Sequence, residues 1–208
     1  MQVAIVDYGA GNIESVRNAL FAAGAEPAIA REPDAVLAAD RLVLPGVGAA
    51  GAAAERLNAN GLGEALNEAV RRRGRPMLGI CLGMELLAER LFEFGEHRGL
   101  GWLPGNVVHL RDAGVAEARV PHMGWNVVEP SGPAARFFQM PERMRTFYFC
   151  HSYTLVTGAA EAVAARTSYG APLVAAVFDG TVFATQFHPE KSQVNGQKLI
   201  RAFLDWKP

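Results

Sequence analysis

Short apolar segments alternate with longer amphipathic segments through the first half of this chain. The short segments have the length of buried strands, and the longer ones carry the periodicity of helices. The apolar runs lie at residues 3–6, 41–44 and 77–80, and the amphipathic segments at residues 13–23, 52–73 and 84–91. Alternation of this kind predicts an α/β fold with an open, mostly parallel sheet flanked by helices on both faces.

The second half has a different character. Residues 101–149 contain many prolines and glycines, short β-branched or aromatic runs and little helical periodicity. This pattern favours antiparallel hairpins and loops added at one end of the sheet. Further strands are predicted at residues 146–153, 173–178 and 182–186, the last two joined in a hairpin by the Asp179-Gly180 turn. An amphipathic helix at about residues 196–206 is expected to close the fold.

Size and charge limit the classes of protein that fit. With 208 residues, half of them hydrophobic, the chain can bury one sizeable core, so residues 1–208 are predicted to form a single domain. The net charge of -1 argues against an extended basic surface for nucleic acid or membrane lipid. There is no basic leader and no apolar run of membrane-spanning length, and the two cysteines lie in no paired motif. We therefore expect a cytoplasmic protein.

Cys81 lies at the centre of the motif Gly79-Ile80-Cys81-Leu82-Gly83, between a predicted strand and a predicted helix. This layout is typical of a nucleophile elbow, a sharp turn that needs glycines because a Cβ would clash. The helix start should favour the thiolate through its free N–H groups and partial positive charge. A lone cysteine in an apolar setting is more often a small core residue. The flanking glycines favour the nucleophile, since core packing does not explain them.

A base for this thiol is predicted in Gln186-Phe187-His188-Pro189-Glu190. His188 follows a strand and lies on the same carboxyl edge as Cys81 if the two strands are parallel. Glu190 can accept a hydrogen bond from the second ring nitrogen and hold the tautomer, which completes a Cys81, His188, Glu190 triad. The alternative is a solvated histidine and glutamate on a loop.

Two backbone donors are candidates for the oxyanion site. One is the N–H of Leu82, directly after the nucleophile. The other comes from Gly46 and Val47 in the loop Pro45-Gly46-Val47-Gly48, which follows the strand at residues 41–44 and whose glycines allow a peptide to turn. A plain glycine turn is the alternative interpretation of this loop.

The remaining cysteine and histidines show no pattern of partners. Cys150 and His151 are adjacent in a predicted strand, where neighbouring side chains point to opposite faces, so they cannot form a dyad. Cys150 is expected to be a buried structural thiol, and His97 and His109 have no predicted role. Because no paired Cys or Cys-x-x-Cys ligand pattern is present, no metal site is predicted.

Near the N-terminus, Gly9-Ala10-Gly11 resembles the start of a dinucleotide-binding loop. The third glycine of that pattern is replaced by Glu14. We interpret the segment as a tight turn, and no cofactor is predicted.

Together, the Cys81 motif after a strand and the Phe-His-Pro-Glu sequence near the carboxyl end resemble the class I, triad-type glutamine amidotransferases, whose fold is flavodoxin-like. More narrowly, further segments resemble the glutaminase subunits of imidazole glycerol phosphate synthases, a family of histidine biosynthesis. These segments are Asp7-Tyr8-Gly9-Ala10-Gly11-Asn12, Pro45-Gly46-Val47-Gly48, Pro121-His122-Met123-Gly124-Trp125-Asn126, Tyr148-Phe149-Cys150-His151-Ser152-Tyr153 and His188-Pro189-Glu190-Lys191-Ser192.

The resemblance implies a reaction and a partner. Cys81 would attack the side-chain amide of glutamine, His188 would protonate the leaving ammonia, and water would hydrolyse the thioester to glutamate. The ammonia would pass to a separate (β/α)8 cyclase subunit, which makes imidazole glycerol phosphate and an aminoimidazole carboxamide ribotide. The resemblance assigns glutamine binding to Gly48, Ser152 and Tyr153, and the subunit interface to Met123, Trp125, Tyr148 and Lys191.

One residue departs from the family pattern. These subunits commonly carry Gln where this chain has Glu85, near the amino and carboxylate ends of the substrate. A carboxylate there would attract the ammonium group of glutamine and repel its carboxylate, unless Glu85 is protonated or turned away.

Other functions stay open at this point. Within enzymes, the alternative is another thiol hydrolase on the same fold, such as a γ-glutamyl hydrolase or the glutaminase of a different synthase. From another class, the chain could be a non-catalytic docking subunit. A further hypothesis concerns the loop at residues 45–48, which would rest with its donor turned away until a cyclase binds nucleotide.

Overall fold

The computed structural model describes residues 1–208, and its first half builds the parallel part of a central sheet. Strands and helices alternate here as the hydrophobic pattern predicts. The elements are β1 (Val3–Val6), α1 (Ile13–Ala22), β2 (Ala28–Ala30), α2 (Pro33–Ala38), β3 (Arg41–Gly46), α3 (Ala50–Ala59), α4 (Leu62–Leu66), β4 (Met77–Cys81) and α5 (Leu82–Glu85).

The second half is mostly strands. Its elements are β5 (Ala88–Phe92), β6 (Glu96–Arg98), β7 (Leu103–His109), β8 (His122–Val127), β9 (Glu129–Pro130), β10 (Thr146–His151), β11 (Tyr153–Val156), β12 (Val163–Ser168), β13 (Pro172–Asp179), β14 (Val182–Thr185) and α6 (Gln193–Asp205). The predicted hairpin is confirmed, since β13 and β14 pair antiparallel around Gly180, whose φ is +58°.

The central sheet has eight strands in the order β2-β1-β3-β4-β14-β13-β12-β9. The first five are parallel, and β13, β12 and β9 continue the sheet in antiparallel fashion. A pair of strands, β8 and β10, and a four-stranded sheet in the order β11-β7-β5-β6 are added at one side. The predicted α/β architecture with antiparallel additions is therefore confirmed.

Strand β1 shows why the sheet is covered on both faces. Its four residues are all buried, and successive side chains point to opposite sides. Ala4 and Val6 belong to a hydrophobic cluster of 33 residues, whereas Val3 and Ile5 belong to a second cluster of 28 residues. Such continuous apolar strands are typical of a parallel sheet packed between helical layers.

The predicted helix at residues 84–91 is wrong. The helix is α5, of four residues, and residues 88–92 form strand β5, which pairs with β6 and β7. Residues 82–88 are all buried, so this segment lacks the solvent face of an amphipathic helix. An apolar run without a polar face does not distinguish a helix from a strand, and here the pairing with β7 decides for a strand.

The single helix predicted at residues 52–73 is also wrong, because the segment is divided. Helix α3 ends at Ala59, α4 starts after Gly61, and the last part, Asn67–Arg72, is a π-helix. Gly61 has a φ of +69°, in the left-handed region, which interrupts a right-handed helix. The closing helix α6 starts at Gln193, three residues before its predicted start.

The glycine pair near the N-terminus forms a turn, as predicted. Gly9 has a φ of +82°, and Asn12 caps α1 by accepting a hydrogen bond from the Ser15 N–H. No helix in the structure is both long enough and apolar enough to cross a membrane.

Candidate active site

Cys81 is the last residue of β4 and has a φ of +53°, a conformation that is rare outside glycine. The flanking glycines are required sterically. A Cβ on Gly79 would lie 2.8 Å from the Cβ of Ala184, and a Cβ on Gly83 would overlap the Leu44 carbonyl oxygen. The local sequence therefore forces the sharp strand-to-helix turn that was predicted, and the strained backbone sits at the candidate nucleophile.

The Cys81 side chain lines a cavity of about 500 Å³. Its walls come from six parts of the chain: the loop after β3, the β4–α5 turn, the β5–β6 turn, the residue before β8, the segment from the end of β10 to the start of β11, and the segment after β14. The lining residues are Val47, Gly48, Ala49, Cys81, Leu82, Glu85, Glu93, Phe94, Pro121, Cys150, His151, Ser152, Tyr153, His188 and Lys191.

His188 lines the same cavity, because β14 runs parallel to β4 and ends at the same edge of the sheet. Its Nδ1 lies 2.7 Å from Oε1 of Glu190, and both side chains are only 3% exposed. A carboxylate accepts hydrogen bonds, so Nδ1–H is the donor and Nε2 is left without a proton. Cys81 and His188 thus line one cavity, and a neutral His188 ring whose Nδ1–H is donated to Glu190 has its Nε2 free to accept a proton.

The environment of the Cys81 thiol differs from the expectation. Burial raises its pKa well above the usual value, and the charges of Glu85 and Glu190 raise it further. The neighbouring Leu82 N–H lowers the pKa, but this effect is smaller. The prediction that the helix start favours the thiolate is therefore wrong for this state. Because α5 has only four residues, its dipole cannot outweigh the loss of solvation.

The candidate oxyanion loop is fixed from both sides. Gly46 ends β3 and pairs with Cys81, and a Cβ on it would overlap the Tyr8 hydroxyl. That hydroxyl donates to the Pro45 carbonyl at 3.0 Å. Val47 and Gly48 line the cavity, and Gly48 has a φ of +108°. The loop thus lies beside Cys81 as predicted, although Gly46 contributes its backbone next to the cavity rather than a lining surface.

Glu85 lies in the cavity wall and is 5% exposed. Its Oε1 accepts a hydrogen bond from Nε2 of Gln186 at 2.8 Å. The same nitrogen is 3.9 Å from Sγ of Cys81. Burial raises the pKa of Glu85 to about 7, which outweighs the lowering effect of the hydrogen bond.

Ser152 and Tyr153 line the cavity, in agreement with the sequence analysis. Cys150 also lines it and is half-buried, so the prediction of a buried structural thiol is wrong. The reason is that β10 pairs with β8 alone, which leaves part of its surface open toward the cavity.

His151 forms no pair with Cys150, as predicted, because both of its ring nitrogens are engaged. Its Nδ1 donates to the Tyr153 carbonyl at 2.7 Å, so Nε2 is an acceptor. Nδ1 of His122 donates to that Nε2 at 2.9 Å, and Nε2 of His122 accepts from Asn126 at 3.3 Å. Burial lowers the pKa of His122 to about 4 and that of His151 to about 3, so both are neutral.

The four predicted interface residues share one surface. Met123 and Trp125 on β8 are 60% and 49% exposed. The Trp125 ring lies edge-on to that of Tyr148, which is its cross-strand partner on β10. Nζ of Lys191 lies 6.0 Å from the centre of the Tyr148 ring, and Lys191 also lines the cavity. This surface is therefore continuous with the mouth of the cavity.

Three side chains at the site were not identified from the sequence. Gln186 stands directly before the Phe-His-Pro-Glu motif and could have been found from its position at the end of β14. Glu93 and Phe94 belong to the β5–β6 turn. This turn was not predicted, because a helix was predicted where β5 begins. Glu93 accepts a hydrogen bond from the Ala50 N–H at 2.6 Å, which links this turn to the start of α3.

The remaining histidines lie outside the cavity. Nδ1 of His97 is 3.8 Å from Glu55, and Nδ1 of His109 accepts from the Arg111 N–H. No group of three or more His, Cys, Asp or Glu side chains is arranged to hold a metal ion.

Comparisons with known proteins show the family of this chain. The family model described as glutamine amidotransferase class-I matches residues 4–206. The chain belongs to this family. Among curated relatives, the imidazole glycerol phosphate synthase subunit HisH of Zymomonas mobilis is 44% identical, over 99% of this chain and 96% of the relative. The subunit of the same name from Caulobacter vibrioides is 41% identical, over 99% of both chains.

Solved structures share the fold. A crystal structure of a glutamine amidotransferase superposes with a TM-score of 0.72 at 22% identity, covering 98% of this chain and 97% of the other. A putative GMP synthase subunit from Thermoplasma acidophilum gives a TM-score of 0.70 at 21% identity, covering 98% and 92%. At this identity the likeness concerns the fold alone, and it agrees with the α/β architecture derived above.

Proposed function

We propose that this chain is the glutaminase subunit of an imidazole glycerol phosphate synthase, with Cys81 as its nucleophile. One observation carries the proposal. A single cavity holds Cys81 and His188, while Glu190 fixes the His188 ring from behind at 2.7 Å. A thiol, a base with a free nitrogen and an orienting carboxylate are the groups that nucleophilic acyl transfer needs.

The reaction follows from the roles of these groups. Nε2 of His188 takes the thiol proton as Sγ of Cys81 attacks the side-chain amide carbon of glutamine. The same proton then passes to the leaving nitrogen, ammonia departs, and a thioester stays on Cys81. Water, activated by His188, hydrolyses the thioester and releases glutamate. Glu190 stabilises the imidazolium at each proton transfer.

The negative oxygen of each tetrahedral intermediate needs hydrogen-bond donors directed at it. We assign these to the N–H of Leu82 and, once the loop at residues 45–48 has turned, to the peptide between Gly46 and Val47, both next to Cys81. The Leu82 N–H lowers the pKa of Cys81, so it already acts on the sulfur in the resting state. Loss of one such donor typically costs a hundredfold to a thousandfold, roughly, in kcat.

The cavity also carries groups for the amino-acid end of glutamine. Glu85 and Glu93 supply carboxylate oxygens for the ammonium group. The Ser152 hydroxyl and the backbone around Gly48 and Tyr153 supply polar groups for the rest of the substrate. The side chain of the substrate would then extend toward Cys81.

The ammonia requires an acceptor. We propose a (β/α)8 cyclase subunit that docks on the surface formed by Met123, Trp125, Tyr148 and Lys191, because this surface is exposed, aromatic and continuous with the cavity mouth. The curated relatives are named as subunits of a synthase, which supports this assembly. We expect it in the cytoplasm, where Cys81 stays reduced.

Reconstitution with a candidate cyclase tests the function. Glutamate release and formation of imidazole glycerol phosphate are followed together, with and without the cyclase and its nucleotide. We expect the two products in equal amounts, and a much slower release of glutamate by the isolated chain. Full glutaminase activity of the isolated chain would contradict the hypothesis that the loop at residues 45–48 rests with its donor turned away.

The same experiment separates the alternatives. Another thiol hydrolase would release glutamate without stimulation by the cyclase and without ring closure. A non-catalytic docking subunit would bind the cyclase, while ring closure would require added ammonia. Either result would overturn the proposal.

A further inference from the structure

Two buried acidic groups share one hydrogen-bond donor in this cavity. Gln186 is fully buried, and its Nε2 carries two hydrogens. One is donated to Oε1 of Glu85 at 2.8 Å, and Sγ of Cys81 lies 3.9 Å from the same nitrogen. The Oε1 atom of Gln186 has no hydrogen-bond partner. The Gln186 side chain is therefore held by the hydrogen bonds that its nitrogen donates to Glu85 and Cys81.

Glu85 has no cation as a partner. Its one side-chain hydrogen bond comes from a neutral amide, which stabilises a carboxylate less than a guanidinium or an ammonium group does. The titratable groups that face it come from several elements. They are Cys81 on β4, Glu93 in the β5–β6 turn, Tyr8 after β1, Tyr153 on β11, and His188, Glu190 and Lys191 after β14.

Most of these groups are acidic or neutral, and Lys191 is the one lysine or arginine that lines the cavity. Two negative charges side by side in a buried site repel each other strongly, because little solvent screens them. A charge on Glu85 therefore opposes ionisation of the neighbouring thiol. The pKa of Cys81 is raised by this charge in addition to burial.

We propose that Glu85 controls the ionisation of the nucleophile. When its carboxyl group is charged, Cys81 is held as the thiol. When the carboxyl group is neutral, Cys81 ionises more readily, with its proton passing to His188. The amide of Gln186 lies between the two acids, with one hydrogen available to each. Glu85 is thus a positioning residue whose charge acts on Cys81. This role is additional to any contact that Glu85 makes with the substrate.

The variant Glu85→Gln tests this proposal. It has nearly the same shape, its amide oxygen can still accept from Gln186, and it carries no charge. The probe is iodoacetamide, a small neutral reagent that alkylates thiolates, and the readout is the rate of modification at Cys81 by peptide mass spectrometry across a pH series. At about pH 8 we expect modification about tenfold faster than in the unmodified protein, with the midpoint shifted to lower pH by about one unit.

Two comparisons make the result specific. Glu96→Gln removes an exposed carboxylate on β6, 56% accessible, and should leave the rate at Cys81 unchanged. The Cys150 peptide, from the same cavity, reports whether the variant merely opens the site, since opening would raise modification of both cysteines. An unchanged or slower rate at Cys81 in folded Glu85→Gln protein, or an equal rise at Cys150, would overturn the proposal.

A reciprocal measurement covers the case in which this variant does not fold. The carboxyl carbon of Glu85 is followed by NMR in the unmodified protein and in Cys81→Ala. Coupling between two titrating groups acts in both directions. We expect the Glu85 midpoint to be near neutral pH in both proteins. In the unmodified protein the Glu85 carbon should show a second, smaller shift at the higher pH where Cys81 ionises, and this second shift should be absent in Cys81→Ala. A midpoint below about pH 5, typical of an exposed glutamate, would overturn the proposal.

The inference about Glu85 rests on the proposed function, in which Cys81 is the nucleophile. The inference and the proposed function can fail separately. If Cys81→Ala retained glutaminase activity in the complex with the cyclase, the proposed function would fail. The alkylation and NMR results need no activity and test Glu85 alone.

Discussion

The parallel edge of the central sheet and the antiparallel additions contribute different things to the same cavity. The edge formed by β3, β4 and β14 supplies Cys81, His188 and the oxyanion loop, all at the ends of strands buried on both faces. The additions supply Ser152, Tyr153 and the exposed surface around Trp125. The proposed reacting groups thus stand at the ends of buried parallel strands, and the proposed substrate wall and docking surface stand on the less regular part.

The two regions are held in different ways. Positions at the ends of parallel strands are set by the register of the sheet, here by the pairing of Gly46 with Cys81 and of Thr185 with Ile80. The β8 and β10 pair lies outside this register and is tied to it by the His188 N–H, which donates to the Tyr148 carbonyl at 2.9 Å.

The largest effect is expected at the nucleophile on the parallel edge. We expect Cys81→Ala to lower glutamate release by the complex at least about ten-thousandfold, because it removes the sulfur on which the proposed thioester forms. Cys150→Ala, in the additions, is the matched variant and should lower it by less than about tenfold. Similar losses in both variants would contradict the division between the two regions.

The next effect concerns the residue behind the base. In Glu190→Gln the amide can present its NH2 group to Nδ1 of His188, which favours the tautomer with its proton on Nε2. We expect kcat to fall by about a hundredfold or more, with little change in KM. Steady-state kinetics of glutamate release measure both values. Glu142→Gln, a similar change at an exposed glutamate, is the control, and a change in KM alone would argue against the tautomer role.

The additions should show a stability effect with a distinct pH dependence. Burial lowers the pKa of His122 to about 4 and of His151 to about 3, so the unfolded chain binds more protons than the folded one below the ordinary histidine range. Stability is therefore complete above about pH 6.5 and falls as the pH drops toward 3 to 4, roughly. Urea unfolding at a series of pH values measures this slope.

His122→Phe sharpens that test. Phenylalanine keeps the stacking of residue 122 between Phe149 and Tyr169 but removes the donor to His151. We expect the free energy of unfolding to fall by about 1–3 kcal/mol near neutral pH, because a buried acceptor loses its partner. The pH slope should become shallower. A slope equal to that of the unmodified protein would show that His122 is not one of the groups responsible.

The smallest effect is expected on the docking surface. Trp125→Ala should weaken the affinity for the cyclase by about tenfold, equivalent to about 1.4 kcal/mol, since it removes an exposed aromatic anchor. Isothermal titration calorimetry measures the affinity. Phe21→Ala, which removes another exposed aromatic side chain, 66% accessible on α1, serves as the control. Equal losses in both variants would contradict the proposed surface.

The parallel edge could be predicted from the sequence because local and global signals agree there. Gly79 and Gly83 mark the turn at Cys81, and each is required by a clash that a Cβ would cause. The position of His188 beside Cys81 followed from the ends of parallel strands. The glycine requirement and the shared edge of parallel strands both depend on backbone geometry, and short sequence motifs predict that geometry well.

The rest depends on contacts between distant segments. Strand β5 was taken for part of a helix because the apolar run that leads into it, residues 82–88, is buried throughout, and only pairing with β7 decides its structure. The half-buried state of Cys150 depends on the missing neighbour of β10. The raised pKa of Cys81 depends on burial and on charges that come from Glu85 and Glu190, and no local pattern reports these.

The most direct test of the central claim is to trap the nucleophile. The complex with the cyclase is treated with a glutamine-mimicking electrophile, and the modified peptide is identified by tandem mass spectrometry, with glutamine added as a competitor. The account predicts a single adduct on Cys81, slowed by glutamine and lost in Cys81→Ala. An adduct on Cys150 instead, or modification of Cys81 that glutamine does not slow, would contradict it.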